Sequence, residues 1–568
     1  MKNYKKVYAA FILAGGLILH GCNGIFDDLA INPNQPSMGA YFTSPSAVND
    51  AVMTMYGYMS TQRCLGASGS KTTIIRSDEA SSNSDYGKPG MFGADLNASY
   101  YTIEQPYTLM YTTASQASYI IETAPSVDFS GNEEMRNAYM GEAYFWRAFA
   151  HYYLLINFRN ISPIRQMPRN GDDYVRPLEK PAAVWDFIQE DLAHAKELLP
   201  VKGYWDSKNA GRVTKASAAA LLGKAYLYRS GIEQYYGEDK TTFYSEAAKE
   251  FGDVIDGKYG TYDLTKNYAD NFDVAHENNE ESILEFQFLG DVDNAGFNPG
   301  LATSGLAFDS RGLMLPGAGV GYEGVVHNWL YNAFVNSVDK DGYTDIRMFS
   351  TMIFNDLDAS IHLRNDAGGN PVRLEGPGGY KWEELYPAKN GKEGFATVSN
   401  PLAHSFKAGI RKGIDCSMPT QTEADGTPKL VGVGAGVKEY VYNQPRAHGV
   451  NWRYIRYADV LMMYAESVVS GGTPASNMTP LQAVNKVRGR ANMSELPSVT
   501  MADIQNERIL EFALEGHRFY DLLRWGKLAS RFTELQESDP NFKKFISADD
   551  FKGFVTNKHE WLPIPINE

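Results

Sequence analysis

Cysteine is scarce in this chain: Cys22, Cys64 and Cys416 are the only three in 568 residues. No fold of this length rests on a disulfide framework built from so few, and no CxxC spacing offers a metal site. Cys64 and Cys416 are expected as two buried thiols, with pairing as the alternative. Histidine is also sparse. The ten are scattered without metal-ligand spacing, and His276-Glu277-Asn278-Asn279-Glu280 lacks the second histidine of a zinc helix. Basic charge is short: 53 Lys and Arg against 68 Asp and Glu leave a net charge of −15, which opposes nucleic acid. No GxSxG elbow is present. GASGSKTT (66–73) has Ser70 where a phosphate loop needs glycine before its lysine, and no strand leads into it. Gly319, Gly321 and Gly324 match GxGxxG in letters alone, because no strand precedes them and the next helix comes late. No cofactor and no metal site is expected.

Long apolar runs are missing too, apart from one at the start. Lys2, Lys5 and Lys6 precede an apolar stretch at 7–19, whose 13 residues fall short of the roughly 20 a spanning helix needs. A charged opening, a short apolar stretch and a small residue describe a secretory signal. Leu19-His20-Gly21-Cys22 looks like a bacterial lipobox, with His20 in a position that is normally small. Cys22 is therefore the expected lipidation site, and an ordinary signal peptide followed by an incidental cysteine is the alternative. Several acyl chains, at about 0.8 kcal/mol per buried methylene, would anchor the chain firmly. A polar stretch through Asn32-Pro33-Asn34-Gln35-Pro36 reads as a tether.

What the chain does have is helix-forming sequence. Ser44-Pro45 opens a helix with one apolar stripe, Val48, Val52, Met55 and Met59. Residues 66–101, rich in Gly, Ser, Asn, Asp and aromatics, read as a long surface loop. Helices are expected over 137–158, from Pro181 to Pro200, after Thr214, over 244–255, over 454–469, after Thr479-Pro480, and from Thr500 through 528. They come in pairs, each joining an Ala/Tyr/Leu-rich helix to an amphipathic one, in the manner of tetratricopeptide hairpins. Residues 257–450 are rich in Gly, Pro and Asn, with a strand-like piece at 283–288 and a helical one at 329–338. Five regions follow: signal peptide 1–21, tether 22–43, helical scaffold 44–256 with the loop at about 66–101, irregular lobe 257–450, and helical scaffold 451–568.

Sixty-eight acidic side chains always offer candidate pairs for acid–base chemistry, and no local signature singles one out. Glu507, Arg508, Glu511, Glu515, Arg518, Asp521 and Arg524 recur at helical spacing. Arg508 should reach Glu511, and Arg518 should reach Glu515 and Asp521, as a ladder of ion pairs bracing the last helix. An acid–base site is the alternative, and Arg456, Asp459 and Glu466 read the same way.

Six stretches, GEAYFWRAFAHYYLLINF, RPLEKPAAVWDFIQEDLAHAKELLP, GRVTKASAAALLGKAYLYR, RYADVLMMYAESV with NKVRGRA, ERILEFALEGHRFYDLLRWG and the closing LPIPINE, stand in this order behind the lipobox. Together they resemble the SusD/RagB family of outer-membrane nutrient-binding lipoproteins, over essentially the whole chain from Cys22. The resemblance implies a mainly α fold: a tetratricopeptide-like scaffold with an irregular loop-rich lobe carrying few short strands. It implies a lipid-anchored protein exposed at the cell surface. Its expected partner is a TonB-dependent barrel transporter of the SusC type, over which it sits as a lid. The expected ligand is an oligosaccharide, some relatives taking peptides, and no catalysis is implied. Asp27 and Asp28 are similar to the acidic export signal of surface lipoproteins.

In the family the ligand face draws on the loop after the first helix and on the middle lobe, here 72–101 and about 300–385. Sugar rings stack on aromatic faces while polar groups bond their hydroxyls. Chosen by residue type, the candidates are Asp78, Asn83, Asp85, Tyr86, Phe92, Asn97, Tyr100 and Tyr101, then Arg311, Tyr322 and Trp382. Loop packing is the alternative for each aromatic. Trp146, Trp185, Trp452 and Trp525 belong to scaffold helices, and Trp329 is assigned to the core.

Overall fold

Ser44 starts the first helix as its sequence implies: the residue is extended and its Oγ accepts from the Ala47 amide at 3.3 Å. The computed structural model describes residues 42–61, 63–66, 69, 71–82, 98–167, 176–288, 308–309, 323–354, 360–364, 408–412, 424, 430–432, 438–440, 447–448, 450–539 and 554–565. Cys22, Cys416 and nearly all of the tether lie outside them. In α1 (Pro45–Ser60) the whole expected stripe, Val48, Val52, Met55 and Met59, is fully buried.

Next come α2 (Tyr101–Thr123), α3 (Glu133–Phe158), α4 (Pro181–Leu198), α5 (Lys215–Tyr236) and α6 (Tyr244–Ile255). Hydrophobic periodicity does not announce α2, because its buried face mixes Ile103, Met110 and Ile120 with Thr102, Thr113 and Ser118. Two of these hydroxyls are satisfied locally or across the interface: Thr113 donates to the Leu109 carbonyl at 2.9 Å, and Ser118 accepts from Arg147 at 3.2 Å. α3 begins four residues before the expected 137, since the Asn132 side chain caps it by accepting from the Met135 amide.

Each of α2 to α6 packs on its neighbour in sequence. This is the hairpin-on-hairpin stacking of a tetratricopeptide-like scaffold. Close approach is enforced by size at the α5–α6 contact, where a Cβ on Gly223 would stand 2.8 Å from the Phe251 ring. The stack then continues across the inserted lobe: α6 packs on α9 (Tyr457–Val469), and α9 on α10 (Pro480–Arg490).

The lobe contributes α7 (Asn328–Val335), α8 (Arg347–Thr351) and short strands. β1 (Ala80–Ser82), β4 (Glu323–Val326), β6 (Ala408–Ile410) and β5 (Met352–Phe354) form an antiparallel sheet in that order. β2 (Ser282–Phe286) pairs with β10 (Trp452–Arg456). The two-residue strands β3 (Phe308–Asp309) and β9 (Ala447–His448) pair with each other, as do β7 (Leu430–Gly432) and β8 (Lys438–Tyr440). Among the described residues no helix is long and apolar enough to cross a membrane.

Three expectations need correction. The helix expected over 454–469 begins at Tyr457, because Trp452–Arg456 is a strand whose residues are all buried against β2. The helix expected from Thr500 to 528 is two helices, α11 (Met501–Glu511) and α12 (Arg518–Arg524), followed by the start of α13 (Leu528–Ser538). Leu514 and Gly516 between them have φ of 60° and 87°, which ends a right-handed helix. A Cβ on Gly516 would also lie 2.8 Å from Thr73 Oγ1. Finally, residues 72–80 of the expected surface loop are buried, starting with a π-helical turn at Lys71–Ile75. Cys64 is a free, buried thiol, and Trp146, Trp185, Trp452 and Trp525 are interior.

Gly223→Val should destabilise the fold by about 1–3 kcal/mol through overpacking against Phe251, measured by urea unfolding.

Candidate functional site

The densest group of ionisable side chains lies where α11 and α12 meet the lobe. Glu511 accepts from Arg456 at 3.0 Å, from Arg347 at 3.1 Å and from Arg490. Glu507 accepts from Arg347 and Arg488, both at 2.6 Å. Glu515 holds Arg456 at 2.8 Å and Lys412 at 2.8 Å, while Glu281 holds Arg490 at 2.8 Å and Arg456. Arg508 binds Asp459 and Asp521, each at 2.8 Å, and Arg524 binds Glu466 at 2.7 Å. All are buried.

Burial alone would raise the Glu511 pKa, but the guanidiniums of Arg490, Arg456 and Arg347 outweigh it and hold the carboxyl at about 2. Such a group is no proton donor at neutral pH. The cluster is an ion-pair brace, with partners other than those expected. Arg508 does not pair with Glu511, nor Arg518 with Glu515 or Asp521, because these buried side chains turn toward other elements: Arg508 toward Asp459 and Asp521, Glu511 toward Arg347, Arg456 and Arg490, and Arg518 toward Asp78.

Asp78 belongs to a second buried cluster and is corrected as a ligand contact. It is 0% exposed, and its carboxylate accepts from Arg518 at 2.9 and 3.1 Å and from Arg531 at 2.6 Å. Its carbonyl accepts from His327 Nδ1 at 2.7 Å and from the Trp329 indole. The Trp329 ring also lies under the guanidiniums of Arg531, at 4.2 Å, and Arg518, at 5.5 Å. Next to it, the Glu79 carbonyl accepts from the His327 amide at 2.9 Å and the Glu79 carboxyl from the Leu514 amide at 3.0 Å. Burial pushes Asp78 up, yet Arg518 and Arg531 bring it below its ordinary value. Burial raises Glu79 to about 8, opposed by the Leu514 amide and reinforced by the charge on Asp78.

These two residues enter β1, and His327 and Trp329 follow β4. At the far end of the same strand pair Ser82 stands opposite Glu323. Residues 83–97 leave from Ser82 and residues 310–322 arrive at Glu323, so both candidate segments join the folded body at one end of the β1–β4 pair. Asn83, Asp85, Tyr86, Phe92 and Asn97 on the first, and Arg311 and Tyr322 on the second, lie outside the described residues. So does Trp382, whose segment joins the opposite edge, between Phe354 and Ala408.

The first segment ends at Tyr100 and Tyr101. Their rings stack, with centroids 5.6 Å apart and planes 24° from parallel, at the start of α2, and Tyr101 is 36% exposed. Tyr100 is half-buried against the core, so the ring that can offer an apolar face to a flat or ring-shaped ligand is that of Tyr101. By contrast, a cavity among Ile74, Phe272, Trp452, Lys412 and Glu515 has about 30 Å³, room for about two waters. Lys412 there already donates to Tyr268, Ala513 and Glu515.

A model of the SusD family matches residues 421–568, and a second, described as starch-binding and associating with the outer membrane, matches 31–227. A SusD-like protein of Bacteroides ovatus is 25% identical over 533 residues, covering 92% of this chain and 83% of its own. The chain belongs to the SusD family. Among solved structures, a SusD superfamily protein from Bacteroides vulgatus superposes with a TM-score of 0.67 at 22% identity, covering 93% of this chain and 97% of its own. A laminarin-binding SusD-like protein does so with a TM-score of 0.62 at 22% identity, with the same coverage.

In this SusD-family chain the residues that sequence reasoning missed are those around Asp78: His327, Trp329, Arg518 and Arg531. No local signal could have found them as a group, since they lie 249 to 453 residues away. Glu79 gives a testable consequence. Its carboxyl titrates near 8 in the fold against an ordinary 4.5, so its favourable contribution is complete below about pH 4.5 and is lost as pH rises toward 8. Between pH 5 and pH 8 the melting temperature of the wild type should therefore fall more steeply than that of Glu79→Gln. Parallel curves would show that this group does not carry the dependence.

Proposed function

We propose that this protein captures an oligosaccharide at the cell surface, held to the outer membrane by lipid on Cys22, and delivers it to a TonB-dependent transporter of the SusC type. The observation that supports the binding is the stacked Tyr100–Tyr101 pair, half-buried at Tyr100 and exposed at Tyr101, which follows a segment departing from the end of the β1–β4 pair where the second candidate segment also arrives. Sugar C–H faces pack on such rings, while Asn83, Asp85, Asn97 and Arg311 supply hydrogen bonds to the hydroxyl rim, and Tyr86, Phe92, Tyr322 and Trp382 further rings. The names of the relatives support the same reading: one family description mentions starch, and one structural neighbour binds laminarin.

The protein acts by binding without breaking a bond. A glycosidase needs a proton-donating carboxyl at the sugar. Glu79 has a suitable pKa but is 1% exposed and already bonded to the Leu514 amide, and the carboxylates of the brace are held by guanidiniums. Affinity is modest, because the surface is wet and each ordered side chain costs about 0.5–1.5 kcal/mol, and modest affinity suits a protein that must hand its cargo on.

Native gels containing laminarin or starch should retard the purified protein, and Tyr101→Ala should weaken binding about tenfold, read by calorimetry. Peptide binding without any retardation by glycans would replace the sugar with a peptide. Cys22→Ser should move the protein from the membrane fraction to the soluble fraction of cells and abolish incorporation of labelled palmitate.

A further inference from the structure

A charged ligand has to be met by opposite charge that the protein has not already used. Recognition of a carboxylated or sulfated polymer relies on guanidinium forks and ammonium groups free to face it. The structure shows where the cations of this chain are.

Among the described residues arginine is turned inward. Arg147 lies on both oxygens of Asp191 at 2.7 Å, Arg347 on Asp345 at 2.7 Å and Glu507 at 2.6 Å, and Arg508 on Asp459 and Asp521 at 2.8 Å, all of them buried. Half-buried arginines are engaged as well: Arg488 holds Glu507 and Arg531 holds Asp78, each at 2.6 Å. The exposed arginines among the described residues are Arg63 and Arg165, and Arg165 is held by Glu179 at 2.7 Å. Exposed lysines are matched in the same way. Lys249 and Lys258 share Asp253 at 3.1 and 3.0 Å, and Lys180 reaches Glu238 at 3.2 Å. Exposed carboxylates outnumber exposed cations among the described residues, in keeping with the net charge of −15.

The segments assigned to the ligand do not reverse this balance. Residues 83–97 carry Lys88 against Asp85 and Asp95, and residues 310–322 carry Arg311 alone. Residues 365–407, around Trp382, carry five basic and five acidic side chains. Together they have no net charge, so they hold no surplus of cations for a polyanion. A polymer with a negative charge on each sugar would also be repelled by the acidic body as it came within a Debye length, about 8 Å at physiological salt.

We propose that the glycan captured by this protein is electrically neutral, a polymer of uncharged sugars rather than a uronic-acid or sulfated one. This rests on the proposed function for the capture itself and names the class of glycan taken. Binding then runs through ring faces and hydrogen bonds to hydroxyls, which salt screens little. Exclusion of polyanions is a property of the whole surface, and it holds whichever side chains touch the sugar.

Native affinity gels separate the two classes. Laminarin, starch and xyloglucan represent neutral glycans, and polygalacturonate and chondroitin sulfate represent polyanions, each run with calcium and with a chelator. At least one neutral glycan should retard the full-length protein, and neither polyanion should do so under either condition. Calorimetry with the neutral glycan that binds should give Kd values agreeing within about twofold between roughly 50 and 500 mM sodium chloride. Retardation by a polyanion, calcium-dependent or not, would overturn the assignment to neutral glycans and leave glycan capture standing. A tenfold loss of affinity at the higher salt would do the same, because it would show ionic contacts to the ligand. Retardation by none of the five would overturn glycan capture, and the assignment with it.

Discussion

Everything in this structure turns on guanidinium groups taken out of water together with the carboxylates that neutralise them. Glu511 alone gathers Arg347 from the lobe, Arg456 from the junction of β10 and α9, and Arg490 from the end of α10. Arg456 in turn reaches Glu281, just before β2, and Glu515 in the break between α11 and α12. Burying one such charge unpaired costs several kcal/mol, and removing one partner of a buried pair costs about 3–5 kcal/mol. The effect is as much selection as stabilisation. A packing that misplaced α11 by one turn would strand several charges at once.

That brace explains how an array of stacked hairpins tolerates the long insertion between α6 and α9. The helices themselves pack by apolar contact, as at Phe251 over Gly223. The lobe adds apolar side chains such as Leu284, Phe286, Leu330 and Phe334 to the core, and it is also held by charge: Arg347, Glu281 and Lys412 all come from it. The Asp78 cluster repeats the device on a smaller scale, joining the start of β1 to the end of β4 and to α12 and α13. Two charge-locked junctions thus hold the small sheet against the helical body.

The helices of the scaffold were legible in the sequence because cap and stripe coincide there. Ser44-Pro45 with Val48, Val52, Met55 and Met59, Pro181 before its amphipathic run, and Thr479-Pro480 with the Thr479–Gln482 capping box each combine a local start signal with burial of the expected face. Reading failed where tertiary contacts overrode local preference. α2 hides its buried stripe among Thr and Ser. Trp452–Arg456 is strand because β2 lies beside it. Leu514 is held at positive φ with its amide on Glu79, a residue 435 positions away. The candidate ligand residues could be chosen only by type, in two stretches of aromatic and polar residues. Of those, Tyr100 and Tyr101 stack at the start of α2 with Tyr100 half-buried, whereas Asp78, chosen on the same grounds, is interior.

By itself the sequence determined the class of fold, the order of its hairpins, the family resemblance and the absence of any motif for metal, nucleotide or nucleophilic chemistry. All of these are written in residues close together along the chain, where caps, periodicity and spacing act locally. Only the tertiary structure decided which charges pair, where the last long helix breaks, and that Asp78 faces Arg518 and Arg531 rather than solvent. Those outcomes depend on which distant groups share a dry interior, and in a dry interior a charge takes whichever opposite charge the packing brings within reach.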